Sequence, residues 1–338
     1  MQAAITGIEF FLPRRTVSTS QLAAEFPEWD VDKIESKTGI SNRHIADDGE
    51  CSSDLAFNAA QKLFETGACS PADIDYILLC TQSPDYFLPT TACLLQARLG
   101  IPTTAGALDF NLGCSGFVYG LGLARGLIDS GQARKILLLT AETYSKFIHV
   151  NDKSVRTIFG DGAAATLVEA VEIRDPAVGP FVFGTDGRGA NNLIVPTGGF
   201  RCARTPESAV LHKDKGGSWR TGDNLFMEGT EIFGFTLDVI PRCVGDLLAK
   251  SGKTKDDIDL FVFHQANLFM LEHLRKRLGI SEQKFCIEMR ESGNTVSSTI
   301  PIALRLASEN GKLKKGDCCM LVGFGVGYSW GATIIHWL

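Results

Sequence analysis

The sequence predicts an α/β protein built from two similar halves, and three observations carry that prediction. Two short runs, Ile74–Thr81 and Lys135–Thr140, are almost continuously apolar, as expected of strands buried on both faces. Helical patterns alternate with such runs along the chain. Finally, ETGACSPADIDYILLC at 65–80 resembles KSGKTKDDIDLFVFH at 250–264, with a one-residue gap before the Asp-Ile-Asp.

Ala3–Phe11 reads as a strand stopped by Pro13. Ser18–Phe26 reads as a short helix with Ser18 and Gln21 at capping-box spacing, and Val31–Lys37 as another that ends at Gly39. Ser52, Ser53 and Asp54 offer N-cap oxygens for a helix to about Gly67. Beyond the strand Ile74–Thr81 and the Pro84–Pro89 loop, a helix runs to Leu99. The apolar run Ala105–Phe110 then leads through a glycine-flanked Cys114 into a small-residue helix, Phe117–Ile128, stopped by Gly131. Lys135–Thr140 and Ala164–Val168 are further strands. A later block, from Gly293-Asn294 through Ile300–Leu306 to Gly311 and the strand Cys318–Gly323, matches the block from Gly113-Cys114 to Thr140. The duplication divides the chain into halves at 1–170 and 171–338, stacked about a pseudo-twofold axis. It sets Cys114 and Asn294 as equivalent helix-starting residues facing one centre. His264 falls at the C-terminal end of a strand, where open α/β sheets collect ligand groups.

Composition narrows the function classes. The chain has 338 residues, 44% of them apolar, with 35 glycines and only 12 prolines, which describes a compact protein with ample core. A net charge of −6 and the lack of a long basic run argue against a non-specific nucleic-acid binder. The ten cysteines mostly lie in apolar patterns without C-x-x-C pairs, and read as reduced thiols rather than a disulfide frame or zinc site. The six histidines are scattered, with no metal-ligand spacing. No segment approaches the length of a membrane span, and the N-terminal stretch lacks a signal peptide's apolar core. A soluble, cytoplasmic protein is expected.

The three residues brought together by the duplication suit one chemistry. Glycines on both sides of Cys114 permit a sharp strand-to-helix turn, and a thiol at a helix N-terminus faces unpaired N–H groups that favour the thiolate. Most free cysteines are small core hydrophobes, a strand-end histidine is commonly structural, and Asn after Gly is commonly an N-cap. A cysteine, an imidazole and a carboxamide in one pocket are suited to acyl-thioester chemistry. The thiolate stores an acyl group, backbone N–H groups hold the tetrahedral oxyanion, and His264 with Asn294 hold an enolate left when carbon dioxide departs.

The motifs GCSGF around Cys114, FGDGAAA at 159–165, HQAN at 264–267, GNT at 293–295 and GFGVGYSWGA at 323–332 together resemble the β-ketoacyl-acyl carrier protein synthase III family. The likeness runs nearly end to end, through the TGI segment Thr38–Ala46 and the segment Met227–Phe233. It implies a thiolase-like, five-layered αβαβα fold, a homodimer without a permanently bound cofactor or metal, and a condensation of an acyl-CoA primer with malonyl-acyl carrier protein. By the same resemblance Cys114 is the acylated nucleophile and Val326 supplies the second oxyanion N–H. His264 and Asn294 hold the enolate, with Phe324 beside the malonyl carboxylate. Gly229, Phe233 and Asn267 match positions along the pantetheine tunnel, and Lys276 and Arg277 a basic pair that meets the carrier protein.

Several positions depart from the family's pattern. The adenine-stacking Trp has no counterpart at its slot near Lys33, Trp29 lying too early. A nucleotide-gripping Arg is Lys153, a carrier-protein Arg is Phe269, and the middle of a three-glycine loop is Val326. The aromatic that reaches from the partner subunit into the primer pocket is Leu88. These departures bear on the primer and its donor, and leave the condensing chemistry untouched. Two other readings stay open: an acyltransferase passing the acyl group from Cys114 to an alcohol or amine, and a non-catalytic partner subunit with the same fold.

Overall fold

Besides three two-stranded ribbons, the strands form two larger sheets of matching plan. In the computed structural model, which describes residues 1–26, 30–214 and 216–338, the first sheet contains β1 (Gln2–Phe11), β2 (Tyr76–Cys80), β3 (Gly106–Phe110), β4 (Lys135–Glu142) and β5 (Gly162–Val171). Their order is β1-β5-β4-β2-β3, with β1 and β4 antiparallel to β5, and β4-β2-β3 parallel. The second sheet contains β6 (Val178–Thr185), β7 (Leu260–Phe263), β8 (Cys318–Gly325) and β9 (Ser329–His336) in the order β6-β9-β8-β7. Here too the first two pairings are antiparallel and the next is parallel. Where the first sheet has β3, the second has a single parallel bridge between Phe261 and Phe285.

Among the described residues, eight α-helices of seven residues or more pack around and between these sheets: α1 (Thr19–Glu25), α2 (Val31–Thr38), α3 (Ser52–Glu65), α4 (Thr91–Leu99), α5 (Gly116–Asp129), α6 (Gly229–Ser251), α7 (Leu268–Leu278) and α8 (Thr299–Glu309). Side chains alternate across a strand, so an all-apolar strand feeds two cores. In β4, Ile136 and Leu138 join Phe117 and Leu121 of α5 and Ile300 and Leu304 of α8 in a central cluster that also takes Val262 and Leu321 from the second sheet. Leu137 and Leu139 face the opposite way, against Leu55 and Leu63 of α3 and Leu95 of α4. On the far side Phe261 and Met320 meet Ile240 of α6 and Leu271 of α7. The result is five layers, αβαβα.

Local signals set most boundaries. Ser18 caps α1 by accepting from the Gln21 N–H at 3.0 Å, while Gln21 Oε1 accepts from the Ser18 N–H at 2.7 Å. Gly39 ends α2 with φ of +72°, a left-handed conformation that costs a residue with Cβ. The start of α3 corrects the reading of Ser52–Asp54 as its cap. Cys51 holds the N-cap position, and Asp54 is the third helical residue, its carboxylate accepting from the Cys51 N–H at 2.8 Å. Among the described residues no helix is long and apolar enough to cross a membrane.

Candidate active site

Cys114 sits between the end of β3 and the start of α5, where the second sheet presses against the first half of the chain. A Cβ built on Gly325 of β8 would stand 2.8 Å from Cys114 Sγ, and one on Gly323 2.7 Å from Ser115 Cα. Only glycine permits that approach. The Ser115 and Ser329 hydroxyls, 2.5 Å apart, tie the start of α5 to β9. The backbone N–H groups of Cys114 and Val326 lie close enough to the buried thiol sulfur to favour its anion.

These donors do not make the resting sulfur a thiolate, contrary to the expectation from its place near a helix N-terminus. Burial, then the Glu142 carboxyl, push the Cys114 thiol up to about 12, outweighing the two N–H groups that favour the anion. The sulfur is also two residues ahead of the helix, whose N-cap is Ser115.

His264 follows β7, its N–H donating to the Val322 carbonyl at 2.8 Å. Its ring is buried, with Nδ1 2.7 Å from the Thr299 hydroxyl at the start of α8. Burial drives the imidazole down to about 3, so it is neutral across the physiological range. Phe324 meets it edge-on, with ring centroids 5.6 Å apart. Asn294 Nδ2 lies 3.5 Å from His264 Nε2 and 3.4 Å from the Ala266 carbonyl. Its Oδ1 accepts from the Val296 N–H at 2.9 Å, which turns the amide nitrogen toward the imidazole.

Asn294 does not begin a helix, which corrects its pairing with Cys114 as an equivalent helix start. A 3₁₀ turn, Val296–Ser298, intervenes before α8, and Val296 is left-handed with φ of +55°. Backbone bonds to the Ile158 carbonyl (2.9 Å) and from the Gly160 N–H (3.0 Å) hold Asn294 against the first half of the chain. Asp161, next in the FGDG segment, is buried and accepts from the N–H groups of Ala46 (2.8 Å) and Ser145 (2.9 Å) and from the Ser145 hydroxyl. That motif is therefore scaffolding.

Cys114, His264, Asn294, Phe324, Gly229 and Asn267 line one cavity of about 160 Å³. Among the described residues no group of three His, Cys, Asp or Glu side chains is placed to hold a metal ion.

Comparison with known proteins places this geometry. Residues 108–187 match the family model for 3-oxoacyl-[acyl-carrier-protein] synthase III, and residues 248–337 match the model for its C-terminal part. A β-ketoacyl-[acyl-carrier-protein] synthase III of Caldanaerobacter subterraneus is 37% identical over 340 residues, covering 99% of this chain and 98% of the relative. The chain belongs to the β-ketoacyl-[acyl-carrier-protein] synthase III family. A crystal structure of a 3-oxoacyl-(acyl-carrier-protein) synthase III is 53% identical and superposes with a TM-score of 0.99 over 100% of both chains. Another, the 3-oxoacyl-(acyl-carrier protein) synthase of Burkholderia xenovorans, is 36% identical, with a TM-score of 0.91 over 100% of this chain and 94% of its own. Like the synthases it resembles, the protein is a thiolase-like condensing enzyme of the acyltransferase type.

The remaining synthase positions fall at varying distances from the cavity. Asn267 caps α7, its Oδ1 accepting from the Met270 N–H at 2.9 Å. Phe233 lies outside the cavity wall, in an aromatic group with Phe269 (5.4 Å) and His273 (5.5 Å). Lys153 and Lys33 line one separate pocket, with Lys37 and Asp30. Trp29 lies outside the described residues. Lys276 and Arg277 are exposed on the last turn of α7. Leu88 is 82% exposed at the tip of its loop and lines none of this chain's own pocket walls described here.

Two features of the synthase were not anticipated. A second cavity, of about 820 Å³, opens beside Leu193 and Val326, and is walled by Phe87, Tyr144, Phe147 and Leu225. Its walls come from segments far apart in sequence, and only the Pro84–Pro89 loop was visible as a feature. The second is Glu142, at the end of β4, buried and accepting from the Gln82 N–H (3.1 Å) and the Ser83 (3.1 Å) and Ser297 (2.9 Å) hydroxyls. Burial pushes its carboxyl up to about 8. A lone acidic residue closing the run LLLTAE is its sole sequence signal.

These two buried groups predict opposite pH dependences of stability. His264 is held at about 3, so between pH 6.5 and 3 the unfolded chain takes a proton that the native chain refuses, and stability falls with falling pH. Glu142 is held at about 8, so between pH 4.5 and 8 the unfolded chain has lost a proton that the native chain keeps, and stability falls with rising pH. Glu142→Gln is expected to flatten the decline above pH 6.5, and His264→Gln the decline below pH 4.5. Urea midpoints measured across pH check both.

Proposed function

We propose that this chain condenses an acyl primer with malonyl-acyl carrier protein, using Cys114, His264 and Asn294. The observation that carries this is the shared cavity: a thiol cradled by two N–H groups, facing a neutral imidazole and a carboxamide. In the first half-reaction Cys114 Sγ bonds to the acyl carbonyl carbon. The oxyanion is held by the N–H groups of Cys114 and Val326, and the donor thiol leaves with the proton. In the second, the malonyl carboxylate leaves as carbon dioxide, the enolate carbon attacks the acyl carbonyl, and the Cys114 sulfur departs and regains a proton. His264 Nε2 and Asn294 Nδ2, 3.5 Å apart, are too far for a good mutual hydrogen bond, and serve the enolate oxygen as a common acceptor. That role needs the ring proton on Nε2, which holds when the Thr299 hydroxyl, 2.7 Å from Nδ1 and 3.1 Å from the Val296 carbonyl, donates to the ring.

Acyl-CoA as donor and Lys153 as part of its nucleotide site are supported by the basic pocket with Lys33 and Lys37. Exposed Lys276 and Arg277 support docking of the acidic carrier protein. The two sheets, confined to 2–171 and 178–336, support the division into halves at 1–170 and 171–338. All ten cysteines are unpaired, in keeping with a cytoplasmic enzyme.

A homodimer is supported by β3, an edge strand half-buried along its length, and by Tyr86, Phe87 and Leu88, all more than half exposed. Leu88 then reaches a partner's primer cavity, where it leaves more room than an aromatic would. Leu88→Phe is expected to cut acylation by the longest accepted primers about tenfold or more while sparing short ones. A chain-length panel read by intact mass checks this, and an unchanged profile refutes it. Release of labelled carbon dioxide from malonyl-acyl carrier protein, coupled to formation of a β-ketoacyl product, tests the function itself.

A further inference from the structure

Arg43 is the exception among the buried guanidiniums. Arg220, 4% exposed, pairs with Asp152 at 2.9 Å and with Asp214, and Arg275, 8% exposed, pairs with Glu272 at 2.7 Å and Glu282 at 2.9 Å. Arg43 is 1% exposed, yet among the described residues no carboxylate lies within ion-pair distance of it. Its Nη2 donates to the Thr19 hydroxyl at 2.9 Å and its Nη1 to the Val17 carbonyl at 3.3 Å, while its buried Nε reaches no acceptor. A buried charge is ordinarily matched by a counter-charge, because removing it from water costs several kcal/mol.

The same residue lines a pocket of about 240 Å³ whose walls also carry Arg15, Lys146 and Arg156 against one carboxylate, Asp48. Glu25 answers Arg156 at 2.8 Å, and the carbonyls of Asp47 and Asp48 take Lys146 at 3.1 and 2.9 Å. Glu35 acts on Arg43 only from a distance, and burial with repulsion from Arg156 lowers the guanidinium to about 10. Arg43 is thus left with a charge the protein does not compensate, beside a space ringed by like charges.

We propose that this pocket is a binding site for a compact oxyanion of the phosphate class, with Arg43 as its floor and Arg15, Lys146 and Arg156 as its walls. A phosphate group supplies the negative charge that Arg43 lacks, and presents oxygens to the planar guanidinium. The site is distinct from the Lys33–Lys153 pocket, with which it shares no residue, and shares Phe159 with the Cys114 cavity. Occupancy therefore braces one wall of the condensing site. The assignment rests on Arg43 and its pocket, whatever reaction Cys114 performs.

Thermal unfolding of the full chain at constant ionic strength, with inorganic phosphate and separately with glycerol phosphate, tests it. The expected result is a saturable rise in Tm of about 4 °C at a hundredfold excess over Kd. Saturation by inorganic phosphate assigns the site to the free ion, and by glycerol phosphate alone to an esterified ligand. Arg15→Gln combined with Lys146→Gln, both changes at exposed positions, is expected to weaken the response at least tenfold. Lys33→Gln combined with Lys153→Gln is expected to leave it intact. A rise that never saturates, or one lost in the Lys33/Lys153 variant and kept in the Arg15/Lys146 variant, overturns the proposal.

Discussion

Cys114→Ala is expected to abolish the acyl-enzyme and to lower kcat/KM about 10⁴-fold or more, the scale seen when a covalent nucleophile is removed. Intact-protein mass spectrometry after incubation with acyl-CoA should show one acyl addition on the wild type and none on the variant. Nine other cysteines make this a demanding test. Cys93 and Cys202 are the exposed ones, yet neither lines the cavity that Cys114 shares with His264 and Asn294. Adducts that persist in Cys114→Ala would mean that another thiol takes the acyl group, and would sink the assignment. Because the imidazole is held at about 3, acylation should not fall between pH 8 and 6 through protonation of His264, as it would for a ring of ordinary pKa.

His264→Ala and Asn294→Ala should each slow malonyl decarboxylation about 10²- to 10³-fold, the effect of removing one donor from a developing oxyanion. Self-acylation should fall much less, since Cys114 has its own pair of N–H donors. The double variant should lose little beyond either single one, because two donors that serve one oxygen act as a unit. The half-reactions are separable: acylation by mass, decarboxylation by release of labelled carbon dioxide. Equal loss in both would refute the division of labour.

Much of this arrangement was legible in the sequence. The doubly buried strands betrayed themselves as apolar runs, the glycines around Cys114 marked a close approach, and the internal match put His264 at a strand end. What escaped depends on tertiary contact. The thiol looks activated from its neighbours alone, but burial and Glu142, 28 residues away, reverse the sign. Asn294 looks like a helix start because its block copies that of Cys114, yet the left-handed Val296 inserts an extra turn. The longest helix, α6, carries Pro241 within it, a residue that ordinarily argues for a break. The large cavity beside Leu193 is assembled from seven separated stretches, of which only the Pro84–Pro89 loop stands out in the sequence.

The contact of Gly323 and Gly325 with Cys114 and Ser115 has one more consequence. The sulfur follows a strand of one sheet while Val326, half of its cradle, follows a strand of the other, so neither sheet contains a working centre by itself. A methyl group added at either glycine would wedge the seam apart and silence the catalyst with every reacting atom still present. This chemistry thus depends on how the two sheets abut, as much as on which side chains they carry.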